Sequence, residues 1–173
     1  MRITLLFLFI SKLLVCQDTS HFGERSLVVY LSGTKNTQVV AEMIHDKVGG
    51  DLVALELEIP YPEDYDVIVK QVSYENANGI LPTLKTRVSL DEYETVFIGF
   101  PTWGMQLPPP IKSFLNQHDL SGKTVIPFNT NAGYGVGSGF TQINALCRDS
   151  KVLKGISIKG GIERDGVFHG YKR

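Results

Sequence analysis

"LVVYLSGTKNTQVVAEMI" spans residues 27–44. Five apolar residues, 27–31, form a short continuous run of the kind a strand shows when both of its faces are covered. The run stops at Ser32, Gly33, Thr34, Lys35, Asn36 and Thr37. From Thr37 onward Val39, Val40, Met43, Ile44 and Val48 recur close to helical spacing, and Gly49 and Gly50 end the pattern. The six residues between strand and helix supply three hydroxyls, one amide and a row of backbone N–H groups. They lead into a helix N-terminus, whose unpaired N–H groups and dipole attract anions. The loop therefore suits a phosphate. It equally suits a plain capped turn, for which Asn36 or Thr37 alone would serve as N-cap. It matches neither a Walker loop nor a GxGxxG fingerprint.

Outward from this stretch, the same alternation repeats. "DLVALELEI" alternates as an edge strand does, and residues 60–79 begin with proline and continue at helical spacing. The stretch 80–93 reads as loop. "TVFIGF" is a second buried strand, and "PPPIKSFLNQ" opens a helix at proline, where the missing N–H costs nothing. "LSGKTVIPFNT" is a turn and strand, "GSGFTQINALCRD" a helix, and "KVLKGISIKG" a last strand. Strands alternating with helices imply an α/β fold with a parallel sheet. Five strands fit a doubly wound sheet of order 2-1-3-4-5, and right-handed crossovers leave few other arrangements. A final helix usually completes that architecture. "GIERDGVFHGYKR" is too short and glycine-broken to form it, so one sheet face is expected to be thinly covered.

In doubly wound sheets, ligands bind beyond the carboxyl ends of the strands, where strand order reverses. Three loops emerge there. The first is 32–37. The second, "PTWGMQLPPP", carries the sole tryptophan, Trp103, between Thr102 and Gly104. A loop indole covers something flat, or else tucks into the core. The third, "NTNAGYGVGSG", has glycines at 133, 135, 137 and 139 and Tyr134 between two of them. Its glycines permit close backbone approach, though a mobile turn would use them too. Together the loops describe a nucleotide-like ligand with one phosphate and a planar ring.

Composition limits the alternatives. The chain has 173 residues, enough for one domain with a real core. A net charge of −1 and the absence of a basic block argue against nucleic acid. Cys16 and Cys147 form no metal-type pair. Arg2 followed by "ITLLFLFI", Ser11, Lys12 and "LLVC" suits an export signal over 1–16, with Cys16 placed as in a lipoprotein box. Residues 17–25 then read as linker, 26–160 as the domain and 161–173 as a tail. Export to the periplasm, or lipid anchoring in the envelope, is the expected location, with the cytoplasm as the alternative. A membrane would be met only through that anchor. His118 reads as solvated or capping, His169 as a tail residue without a catalytic role, and Glu56, Glu58, Glu63, Asp64 and Asp66 as a solvated face.

The pieces "YLSGTKNT", "YPEDYD", "FIGFPTWGMQLPPPIKSFL", "LSGKTVIPFNTNAGYGVGSG" and "VLKGISIKGG" resemble the flavodoxin family over about residues 27–160, and especially its shorter flavodoxin-like members. The resemblance implies bound FMN. Ser32, Gly33, Thr34, Lys35, Asn36 and Thr37 would wrap the phosphate, with Lys35 standing where the family carries glycine. Trp103 would pack on the isoalloxazine ring, and the backbone of Pro101, Thr102 and Gly104 would line it. Asn131, Ala132, Gly133, Tyr134 and Gly135 would meet the pyrimidine edge. The implied function is electron transfer through the flavin, with a redox protein as partner. One alternative is an NAD(P)H-dependent FMN or quinone reductase. Another is an envelope-tethered domain without redox activity. The low net charge departs from the strong acidity of dedicated flavodoxins.

Overall fold

The structure, a computed structural model, describes residues 25–164 and 167–169. The expected export segment, 1–16, and all of the linker but Arg25 lie outside the described residues. The elements run β1 (Ser26–Tyr30), α1 (Asn36–Val48), β2 (Asp51–Ala54), α2 (Tyr65–Asn78), β3 (Thr95–Pro101) and α3 (Pro109–Gln117). They continue with β4 (Thr124–Asn131), α4 (Gly139–Leu146), β5 (Lys151–Val152), β6 (Ile156–Lys159), β7 (Ile162–Arg164) and β8 (Val167–His169). The main sheet is parallel, in the expected order β2-β1-β3-β4-β5, with β6 also paired to β4.

All five residues of β1 are buried, because it lies inside the sheet and both faces are covered. Alternation sorts its side chains. Leu27 and Val29 join Val96, Ile98, Phe100 and Val125 in the larger core, closed by Ile111 and Phe114 of α3 and Ile143 of α4. Val28 and Tyr30 face the other way, with Phe97, Phe128 and Ala41 of α1. Within the described residues α1 is the helix on that second face. Its Val40, Ile44 and Val48 pack there, whereas Val39 and Met43 of the same periodic pattern are exposed. The tail turns into the antiparallel pair β7–β8 instead of a helix. Ile156 and Ile158 are in register with Phe128 and Thr130, so they share the α1 face, and both remain exposed. The outer part of that face is thinly covered.

The last strand is one position in the sheet but two elements. Thr124 and Val125 pair with Lys151 and Val152, whereas Phe128 pairs with Ile156, so one extra residue sits between. The cause is Pro127. The Leu153 N–H donates to the Val125 carbonyl at 2.8 Å, so alternate residues of β4 present their backbone to this edge. Pro127, two residues on, presents no N–H there, and a bulge absorbs the break.

Helix boundaries follow local chemistry. Asp64 caps α2 by accepting from the Val67 N–H at 3.0 Å, which places the helix start after the proline-bearing stretch 60–62. Proline fills the first positions of α3. The stretch 80–93 is loop, as read, yet it buries Leu84 and Leu90.

Candidate functional site

The first loop turns into α1 through Lys35, which has φ 62° and ψ −10°. This left-handed conformation is the one glycine adopts without strain, so the lysine occupies a position whose backbone favours glycine. Among the described residues, the N–H groups of residues 33–37 find no acceptor. The next amide, Gln38 N–H, donates to Ser32 Oγ at 3.3 Å. Two side chains of the loop are already engaged. Thr37 Oγ1 lies 2.8 Å from Thr130 Oγ1 in a buried contact with β4. Asn36 Nδ2 donates to Thr34 Oγ1 at 2.9 Å and to the Gly161 carbonyl at 3.0 Å, and its Oδ1 accepts from the Gly161 N–H. Asn36 and Thr37 thus have their backbone N–H groups left to offer.

Trp103 sits in a tight turn after β3, closed by the Gln106 N–H donating to the Trp103 carbonyl at 3.2 Å. Its indole comes to the first loop. Trp103 Cζ2 lies 3.7 Å from where a Cβ on Gly33 would stand, an ordinary van der Waals contact. Tyr61 stands edge-on to the indole, with centroids 5.5 Å apart and planes at 82°.

The third loop is tied to the second. Thr102 Oγ1 donates to the Gly135 carbonyl at 2.8 Å, and the Ser138 N–H donates to the Met105 carbonyl at 2.9 Å. Asn131 organises this loop internally, with Oδ1 accepting from the N–H groups of Gly133 at 2.8 Å and Gly135 at 3.1 Å. Gly133 passes beneath Lys159, whose Cε would lie 2.9 Å from an added Cβ. Ala132 and Tyr134 are exposed, and Tyr134 is not among the ring partners of Trp103.

Between the first two loops and α2 lies a cleft of about 600 Å³. Gly33, Thr34, Pro101, Thr102, Trp103 and Gly104 line one side. The other side is α2, with Tyr65, Ile68, Val69 and Val72 followed by Ser73 and Asn76. None of residues 131–135 is part of this lining. The structure therefore joins the first and second loops in one cleft and sets the third beside it. Sequence reasoning missed the wall from α2. Its signal was the apolar stripe Ile68, Val72, read only as a helix face.

The charged groups noted in the sequence have local roles. Glu56 pairs with Lys85 at 2.8 Å and Glu58 with Arg87 at 3.3 Å, so basic side chains answer two of the acids. The Lys85 hydrogen bond and charge hold the Glu56 carboxyl below its ordinary range. His118 places its ring nitrogens 2.8 Å from the Phe114 carbonyl and 3.0 Å from the Val88 carbonyl, tying the end of α3 to the 80–93 loop. His169 falls in β8. Among the described residues, no group of three or more His, Cys, Asp or Glu side chains could hold a metal ion. No helix among them is long and apolar enough to cross a membrane. Chemically, the site joins unpaired amides at a helix N-terminus to an indole and an apolar wall, which fits an anion at one end and a flat ring at the other.

Comparison with known proteins agrees with this geometry. A flavodoxin family profile matches residues 25–171. A candidate flavoprotein from Bacteroides eggerthii DSM 20697 is 32% identical, with 79% of this chain and 89% of that chain covered and a TM-score of 0.71. Another, from Bacteroides uniformis ATCC 8492, is 29% identical, with 80% and 92% covered and a TM-score of 0.72. A flavoprotein in complex with FMN from Lactobacillus acidophilus NCFM shares the fold at 20% identity, with 79% and 93% covered and a TM-score of 0.68. No curated protein matches the chain. With its 2-1-3-4-5 sheet and a family match over most of its length, the chain belongs to the flavodoxin family.

Proposed function

We propose that this protein binds one FMN and transfers electrons through it. The observation that carries the reading is the approach of the Trp103 indole to Gly33, which sets an aromatic ring beside the unpaired amides at the start of α1. FMN supplies the redox chemistry when bound. The protein's part is to bind and orient it. The N–H groups of residues 33–37 and the α1 dipole would hold the phosphate. The Ser32 and Thr34 hydroxyls stand in the same loop, and Lys35 adds a cation that salt screens. Trp103 would pack on the ring, the backbone of Pro101, Thr102 and Gly104 would line it, and residues 131–135, which stand beside the cleft, would meet its edge. The experiment is a titration of the purified protein with FMN, followed by quenching of flavin fluorescence. Saturable quenching and a yellow complex are expected. A colourless protein that leaves FMN fluorescence unchanged overturns the proposal and leaves a family domain without redox activity.

A second reading is favoured by the cleft. The cleft runs on from Trp103 along Ile68, Val69 and Val72 of α2, an apolar surface on which a second planar molecule would lie. In that case NAD(P)H or a quinone would be the partner, and the protein would be a reductase. Anaerobic mixing of the FMN complex with NADH or NADPH decides. Rapid bleaching supports the reductase, whereas reduction only by a partner redox protein supports the shuttle. We propose in addition that residues 1–16 direct export, with Cys16 as the lipid-bearing residue. The mass of the mature N-terminus tests this.

A further inference from the structure

Glu75 is the one acid among the buried polar and charged residues described, at 5% exposure. None of the ion pairs found among the described residues includes it. A buried carboxylate without a cation is costly unless hydrogen bonds hold it. Here two do. Tyr61 Oη donates to Glu75 Oε2 at 2.5 Å, and Gln71 Nε2 donates to Glu75 Oε1 at 2.9 Å. Burial and the Glu75 carboxylate together push the Tyr61 phenol far above its ordinary range, so it stays a donor. Tyr61 belongs to the connection between β2 and α2, where its neighbours Ile59, Pro60, Pro62 and Glu63 are all exposed. The carboxylate on α2 is what anchors this side chain, and the anchored ring is what meets the indole edge-on.

We propose that Glu75 and Tyr61 are positioning residues for Trp103. The carboxylate aims the phenol, the phenol ring braces the indole, and the indole is thereby held against Gly33 as the wall of the ligand cleft. The consequence for FMN rests on the function proposed above, but the bracing itself does not. Trp103 is the sole tryptophan, so its emission reports the bracing directly in the ligand-free protein.

The test compares Tyr61→Phe, Glu75→Leu, the double variant and Glu75→Gln. Indole accessibility to acrylamide and emission anisotropy are read without ligand, and FMN affinity is read by titration. Tyr61→Phe keeps the ring and loses the hydrogen bond. Higher acrylamide quenching, lower anisotropy and a Kd raised about fivefold are expected, the weight of one net hydrogen bond. Glu75→Leu should do the same, and the double variant should be no worse than either single one. Glu75→Gln should restore wild-type values, because its amide oxygen accepts from Tyr61 and exposed Gln71 can turn its own amide. Unchanged indole signals in Tyr61→Phe, additive losses in the double variant, or a Glu75→Gln that behaves like Glu75→Leu would each overturn the proposal. If wild-type protein binds no FMN, the function reading fails while the indole measurements still decide the bracing.

Discussion

Gly137 should be the least replaceable of the loop glycines, and the cost can be worked from its surroundings. It has φ +57°, and a Cβ there would stand 2.0 Å from the Met105 carbonyl oxygen and 2.5 Å from its carbon. The Met105 carbonyl cannot simply withdraw, because it accepts from the Ser138 N–H at 2.9 Å and from Ser138 Oγ at 3.3 Å. Gly137→Ala therefore loses the left-handed freedom, about 1 kcal/mol, and separates both hydrogen bonds, roughly 1 kcal/mol each. The sum, about 3 kcal/mol, corresponds to a fall of 6–12 °C in Tm for a domain of this size. Gly79→Ala is the control. Gly79 has φ +65° but nothing within 4 Å of an added Cβ, so only the conformational term, about 1 kcal/mol, applies. Urea unfolding of both variants measures the difference. Equal losses in the two would refute the claim that the second and third loops are locked together through Met105.

Trp103→Ala should raise the Kd for FMN by about 1 kcal/mol or more through lost stacking; an unchanged constant in the fluorescence titration would show that the ring does not lean on the indole. Lys35→Gly should stabilise the fold by about 0.5–1 kcal/mol, since relief of the left-handed strain outweighs the added freedom of the unfolded chain. A rise in the urea midpoint checks it. Burial pushes the Cys147 thiol up to about 11, and the hydrogen bond to Asp51, then burial, pushes the Tyr93 phenol up to about 12. Both groups hold protons in the folded state that the unfolded chain releases at lower pH. Their contribution is whole below the unfolded values of 9.0 and 10.0 and is lost as pH rises through the folded ones. Stability should thus fall on the alkaline side from about pH 9, and Cys147→Ala should flatten the part below pH 11 in urea midpoints taken across pH.

Much of the fold was legible because its signals are local. The 27–31 run, the periodic residues after Thr37 and the prolines before Ile111 each state a conformation within one turn or strand. The right-handed crossover rule then leaves few strand orders, and the expected one, which the structure shows, puts the loops after β1, β3 and β4 on one edge. The split of the last strand was not legible. Pro127 was visible, but which neighbour its missing N–H faced depends on register across β4. The wall from α2 was half visible. Glu75 falls seven residues after Ile68 and three after Val72, a carboxylate on an otherwise apolar stripe, and that placement is the sign the sequence reading passed over.

The sequence alone determined most of the elements, the parallel sheet and the three loops at its carboxyl edge, because propensity, spacing and chain direction act over a few residues. Only the tertiary structure decided how the loops share their work. It spent the Thr37 hydroxyl on Thr130, tied Asn36 to Gly161, set the third loop beside the cleft and braced Trp103 through Tyr61 and Glu75. Those partners lie 93, 125 and 14 residues apart along the chain, and which donor meets which acceptor is settled by packing the sheet and helices together.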